Sequence, residues 1–157
     1  MASGRPVQVA VIGVATADEE TRRQAYEVGR RLAEAGAVVL SGGLDGVMEA
    51  ASHGAKDAGG TVVGIVPTQT RGSGNQYLDV EVVTNMGHAR NVILAHSADA
   101  MIAVAGSYGT LSEIAIGLKL GRPVVGLGTW DIDGVIAASD PAEAVELALA
   151  KAGGSRA

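Results

Sequence analysis

Short, unbroken apolar runs alternate along this chain with longer stretches whose apolar positions recur every three or four residues. VQVAVIG (7–13), AVVL (37–40), TVVGIVP (61–67), DAMIAVAG (99–106) and RPVVGLG (122–128) are rich in Val, Ile and Ala and stop at Gly, Pro or a Gly-rich turn. Such runs read as buried strands, and VEVVTN (80–85) as a shorter, more polar one. The stretches between them read as helices at 17–36, 46–58 and 87–98, another beginning after Gly109, and a last one at 140–153. Asp18 is placed to cap the first, with Glu19 and Glu20 in its first turn and Gly36 at its end. Asp140, Pro141 and Glu143 mark the start of the last. The polar segment TQTRGSGNQYLD (68–79) is the longest irregular piece and the expected mobile lid or rim.

Apolar strands alternating with helices predict an α/β, Rossmann-like, doubly wound and mostly parallel sheet with helices on both faces. No linker or internal repeat divides the chain, so 1–157 is read as a single domain with disordered ends at 1–5 and 153–157. Right-handed crossovers bring the strand-to-helix turns to one edge, where folds of this kind bind ligands.

Composition narrows the function classes. Phe is absent and there is one Trp in 157 residues, so the core must be built from Ala, Val, Ile, Leu and Met. A formal charge of −5 has the wrong sign for a nucleic-acid surface. No apolar run approaches a membrane span and MASGRPVQVAVIG lacks the layout of a signal peptide, which points to a cytoplasmic protein. Without Cys there is no disulfide framework, and the scattered His53, His88 and His96 suggest no metal site.

Three turns at the ligand edge are rich in small residues: IGVATAD (12–18), SGGLDGVM (41–48) and AGSYGTLSE (105–113). Glycine lets a ligand come close to the main chain. A helix start adds free N–H groups and the positive end of the dipole, which favour an anion. Gly13, Gly42, Gly43, Gly46, Gly106, Ser107, Tyr108, Gly109 and Thr110 are therefore candidate phosphate or ligand contacts, with the cradle shared by the second and third turns. The competing reading is that these glycines only let helices pack tightly on the sheet. There is no Walker loop and no G-x-G-x-x-G after the first strand, which disfavours a dinucleotide cofactor.

Glu113 falls within the first turn of the helix expected after Gly109, facing the pocket mouth, where it would at least complement the dipole. Arg90 is the one full positive charge between Arg71 and Lys119 and lies in a largely apolar helix, so it is either paired or awaits an anion. If the two helices are neighbours, Arg90 and Glu113 face each other across the pocket, with Met86 just upstream as a further ligand contact.

SGGLDGVM and AGSYGTLSE together resemble the paired motifs of the LOG (lonely guy) superfamily, whose members are often mislabelled lysine decarboxylases. LOG enzymes hydrolyse nucleoside 5′-monophosphates to a free base and ribose 5-phosphate. The resemblance implies Arg90 and Glu113 as catalytic residues and Gly106, Gly109 and Thr110 as the phosphate turn. The chain departs from the enzymes' pattern at Leu44, Asn91, Ala105 and Ser107. The span VTNMGHARNVILAHSADAMIAVAGSYGTLSEIAIGLKLGRPVVGLGT is similar to molybdenum-cofactor carrier proteins and their bacterial relatives. That similarity implies a protein that holds a phosphorylated pterin or nucleotide-like ligand, such as the molybdenum cofactor, without cleaving it and with no cofactor required for catalysis. Phosphoribohydrolase activity is the alternative. A purely structural or signalling module would leave the glycine turns unexplained.

The helices around 87–97 and 109–120 are apolar over more than one face, and both families pair through equivalent helices. A homodimer or homotetramer is expected, unless the 67–78 loop covers that surface.

Overall fold

The computed structural model describes residues 4–154. The chain runs β1 (Gln8–Gly13), α1 (Glu19–Glu34), β2 (Val38–Ser41), α2 (Val47–Asp57), β3 (Val62–Val66) and β4 (Val80–Val83). It continues through a short 3-10 turn, Gly87–Ala89, into α3 (Arg90–Ser97), β5 (Ala100–Val104), α4 (Tyr108–Lys119), β6 (Val124–Leu127), β7 (Val135–Ala137) and α5 (Pro141–Gly154). Of the ends expected to be disordered, 1–3 and 155–157 lie outside the described residues, while α5 extends through Gly154.

The seven strands form one sheet in the order β4-β3-β2-β1-β5-β6-β7, and every pairing is parallel. The fold is the Rossmann-like α/β arrangement expected. Alternation along each strand feeds two cores. Val9, Val11, Val39, Ile102 and Val104 pack under α1, α2 and α5, together with Val28, Leu32, Ala51 and Ala148. Ala10, Ile12, Leu40, Ile65 and Met101 pack under α3 and α4, with Leu94, Ala95 and Ile114. Both faces are therefore covered, which is why these strands lack a polar side.

β1 and β5 are neighbours although β1 leads outward to β4 on one side and β5 leads to β7 on the other. The direction of winding reverses between them, and the crevice beyond their carboxyl ends is the ligand position in such sheets. Among the described residues no helix is long and apolar enough to cross a membrane.

Two elements differ from the sequence reading. β7 has only three residues, too few for a periodic signal, and exists by pairing with β6 through Val124–Val135, Val125–Ile136 and Gly126–Ala137. α4 begins at Tyr108, not after Gly109, which puts Glu113 in its second turn and leaves no acidic residue in the first. Ser107 is its extended N-cap, and the Leu111 N–H already donates to the Ser107 carbonyl at 3.0 Å. That capping pulls Tyr108 and Gly109 into the first turn.

Candidate functional site

The three expected turns do stand at the carboxyl ends of β1, β2 and β5, but their glycines serve different ends. A Cβ on Gly13 would lie 2.4 Å from the Val104 carbonyl, and one on Gly46 2.3 Å from the Val14 carbonyl, so both positions are filled by the protein's own backbone. Gly43 is covered in turn by Val66 and Leu78, and its N–H donates to Ser41 Oγ at 3.0 Å. The second turn is thus buried and largely satisfied within the chain.

The loop 68–79 completes its closure. Asn75 donates its backbone N–H to the Gly43 carbonyl at 2.8 Å and its side-chain amide to the Leu44 carbonyl at 3.0 Å. The loop is a rim tied to the second turn. Its far end is held by Glu81, whose carboxylate accepts the N–H groups of Gly72 at 2.5 Å and Gly74 at 2.6 Å.

The third turn is open. Ala105 leaves β5 with a φ of 56°, a conformation that costs an alanine about 1–2 kcal/mol. Ser107, Tyr108 and Gly109 are exposed, and a Cβ on Gly109 would meet nothing within 4 Å. The Tyr108 and Gly109 N–H groups have no acceptor among the described residues, as expected of a first helical turn. Thr110 turns inward: it is 1% exposed and its hydroxyl oxygen accepts the Ser107 N–H at 3.2 Å.

Arg90 opens α3 and is 8% exposed. Its guanidinium lies against Gly42, where a Cβ would sit 1.8 Å from Nη1. Nη1 makes a long 3.5 Å hydrogen bond to the Ile65 carbonyl, and Nε has no partner. Nε is thus a buried donor left without a partner, which carries a desolvation cost. Glu113, on the neighbouring α4, is also 8% exposed. The two helices are joined by Asn91 Nδ2 donating to Ser112 Oγ at 3.2 Å.

Arg90 and Glu113 sense each other's charge without closing an ion pair among the described residues. Burial pushes the Glu113 carboxyl up to about 7, with Arg90 opposing. Burial likewise pulls Arg90 down, with Glu113 opposing. Glu113 lies four residues after Gly109 and hence on the same helical face as the open position. Met86 is 49% exposed just before the turn leading to Arg90, and its N–H donates to Thr84 Oγ1 at 3.2 Å.

Sequence reasoning missed Trp130. Its indole N–H donates to the Ser107 carbonyl at 3.0 Å, and its ring explains Gly106, where a Cβ would lie 2.9 Å from Cδ1. The available signal was the chain's lone Trp sitting just after a strand at the ligand edge. A separate groove of about 270 Å³ lies between α1, α2 and Tyr77. Its arginines are already engaged, Arg22 by Glu49 at 2.7 Å and Arg23 by Glu20 at 2.6 Å, so the unsatisfied cation at Arg90 marks the better site.

Known proteins resemble this chain in sequence and fold. An uncharacterised protein of Archaeoglobus fulgidus is 49% identical over 91% of this chain and 95% of its own length. The molybdenum cofactor binding protein of Rippkaea orientalis superposes with a TM-score of 0.89 at 36% identity, over 94% of this chain and 98% of that one. The rice cytokinin riboside 5′-monophosphate phosphoribohydrolase LOG is 35% identical over 70% of this chain, which spans about half (48%) of that enzyme's length. The resemblance to LOG proteins and to molybdenum-cofactor carriers drawn from the motifs is borne out. Residues 6–152, nearly everything that forms the sheet and its helices, match one family throughout: the chain belongs to the SLOG cluster4 family.

Proposed function

We propose that the protein binds a small phosphorylated ligand bearing a planar heterocycle, nucleotide-like or pterin, and holds it without cleaving it. The observation that carries this reading is Arg90: a buried guanidinium, seated by Gly42, with Nε unpartnered. The free N–H groups of Tyr108 and Gly109 add donors at the positive end of α4. The phosphate is received by the α4 turn, and the second turn contributes by positioning Arg90. The molybdenum cofactor, bound as cargo, is one such ligand: its phosphate would suit the free N–H groups of the α4 turn and the positive charge of Arg90. Similarity to the Rippkaea orientalis protein supports the same reading. The expected cytoplasmic setting and homodimeric assembly accompany this proposal.

Hydrolysis is the second reading, favoured by Glu113. A carboxylate beside the bound ribose would stabilise the positive charge that develops as an N-glycosidic bond breaks. Burial raises the Glu113 carboxyl, with Arg90 opposing, which makes it a weaker fixed anion than an exposed carboxylate but leaves it able to take part in proton transfer.

The test is to incubate the protein with a panel of nucleoside 5′-monophosphates, measuring affinity by calorimetry and free base by chromatography. Binding without base release supports the carrier reading, and sustained base release overturns it in favour of the hydrolase. Gly109→Val supplies the control for the phosphate position: it adds bulk where nothing lies within 4 Å, so the domain folds while affinity falls.

A further inference from the structure

No aromatic ring is fully buried in either core, although Trp130 packs, partly buried, against the α3 and α4 cluster. The chain's aromatic residues are three Tyr and one Trp, and none is among its buried hydrophobic residues. Tyr26 and Tyr77 flank His53, with ring centroids 5.2 and 4.3 Å away, and are occupied there. The remaining two, Tyr108 and Trp130, stand together at the mouth of the α4 turn with centroids 6.0 Å apart and planes at 28°.

Trp130 is fixed. Its indole N–H is bonded to the Ser107 carbonyl, and its ring edge lies against Gly106, so it cannot turn without leaving the phosphate turn itself. Tyr108 stacks on that anchored ring yet is 83% exposed. It is also the residue whose own N–H is one of the free donors at the helix start. An aromatic side chain that the core does not use, braced by a second ring and open to solvent beside an anion turn, is placed to stack a flat ring.

We propose that Tyr108 and Trp130 form the platform for the planar heterocycle of the ligand, a purine or pterin ring, while the α4 turn and Arg90 hold its phosphate. This rests on the phosphate site proposed above and adds what selects the rest of the molecule. It also gives Trp130 a function beyond packing, as the brace that keeps Tyr108 in its stacking position.

Because Trp130 is the chain's one Trp, its emission reports directly on the site. AMP, GMP and ribose 5-phosphate are titrated into the wild type, Tyr108→Ala and Tyr108→Phe, by Trp fluorescence and calorimetry. Tyr108→Ala is expected to weaken AMP or GMP by about 5- to 150-fold, the range that base–aromatic stacking supports, and to leave ribose 5-phosphate unchanged. Tyr108→Phe keeps the ring and retains wild-type affinity. Equal weakening of nucleotide and sugar phosphate, or no weakening of either, overturns the platform while the phosphate site stands. Failure of the wild type to bind any of the three overturns the phosphate site and the platform with it.

Discussion

The guanidinium of Arg90 occupies the space that a side chain at Gly42 would fill: a Cβ there would lie 1.8 Å from Nη1 and 2.7 Å from Cζ. The glycine after β2 is thus a seat for a cation from α3, and the two residues form one structural unit although they are far apart in the chain. Gly42→Ala should displace the guanidinium, because the far end of a flexible side chain yields before the backbone does. The domain should remain folded, with a melting temperature within a few degrees of wild type. Affinity for AMP or inorganic phosphate should fall about tenfold or more, equivalent to ~1.4 kcal/mol, by calorimetry. Unchanged affinity with a displaced Arg90 would remove the arginine from the binding site.

Glu113 makes stability depend on pH. Its folded pKa is raised to about 7 from an ordinary value of 4.5, so the native state binds a proton more tightly than the unfolded chain does. Stability is full below the unfolded value, declines as pH rises from about 4.5 to 7, and levels off above that, with a total loss on the order of 3 kcal/mol. Glu113→Gln removes the ionisation. Urea midpoints measured at pH 5 and pH 8 should differ less in the variant than in the wild type, and the variant should be the more stable at pH 8. An equal pH dependence in both proteins would show that the carboxyl is solvated.

Glu81 should govern the rim. Its carboxylate lies among the loop's backbone donors, and the hydrogen bond from Gly72 is the main reason its pKa is lowered, with burial opposing. A lowered folded pKa means that the restraint is present above the unfolded value of 4.5 and is lost as pH falls through the folded one. Arg71 immediately precedes the held glycine and is exposed, so trypsin reads the loop directly. Glu81→Gln should speed cleavage after Arg71 about fivefold at pH 8, scored by mass spectrometry, through more frequent local opening. Cleavage elsewhere should be unaffected.

The outline of the fold was legible because each strand is buried on both faces and reads as an apolar run, as in AMIAV of β5, whose five residues are all buried. Two isolated charges in apolar helices likewise pointed to Arg90 and Glu113. The partners of the glycines were not legible. Gly42 serves Arg90, Gly106 serves Trp130 and Gly43 serves the 68–79 rim, and each contact joins residues brought together only by the crossovers. A glycine kept clear for a ligand and one kept clear for the chain's own side chain look the same in one dimension. The start of α4 was misplaced for a local reason, since Ser107 caps the helix and admits Gly109 into its first turn.

The face carrying α3 and α4 exposes apolar side chains. Val80 and Val82 on the edge strand β4 are 49% and 40% exposed, and Val92 on α3 is 43% exposed. The register pairs Val80 with Val63 and Val82 with Ile65, which places both on the side of the sheet that packs α3. Their exposure shows that the 68–79 loop leaves them uncovered, and its Leu78 packs on the opposite face. Exposed apolar side chains on one side of a sheet suit a contact surface. A two-fold axis would set the same surface on both protomers, so one introduced charge appears twice at the interface. Val92→Asp is the discriminating change, because Val92 is exposed enough for the monomer to fold without it. Light scattering at micromolar concentration should give the wild type at least twice the 15.7 kDa chain mass and the variant a single-chain mass, with unchanged circular dichroism. A wild type that is already monomeric refutes the interface, whatever the variant does.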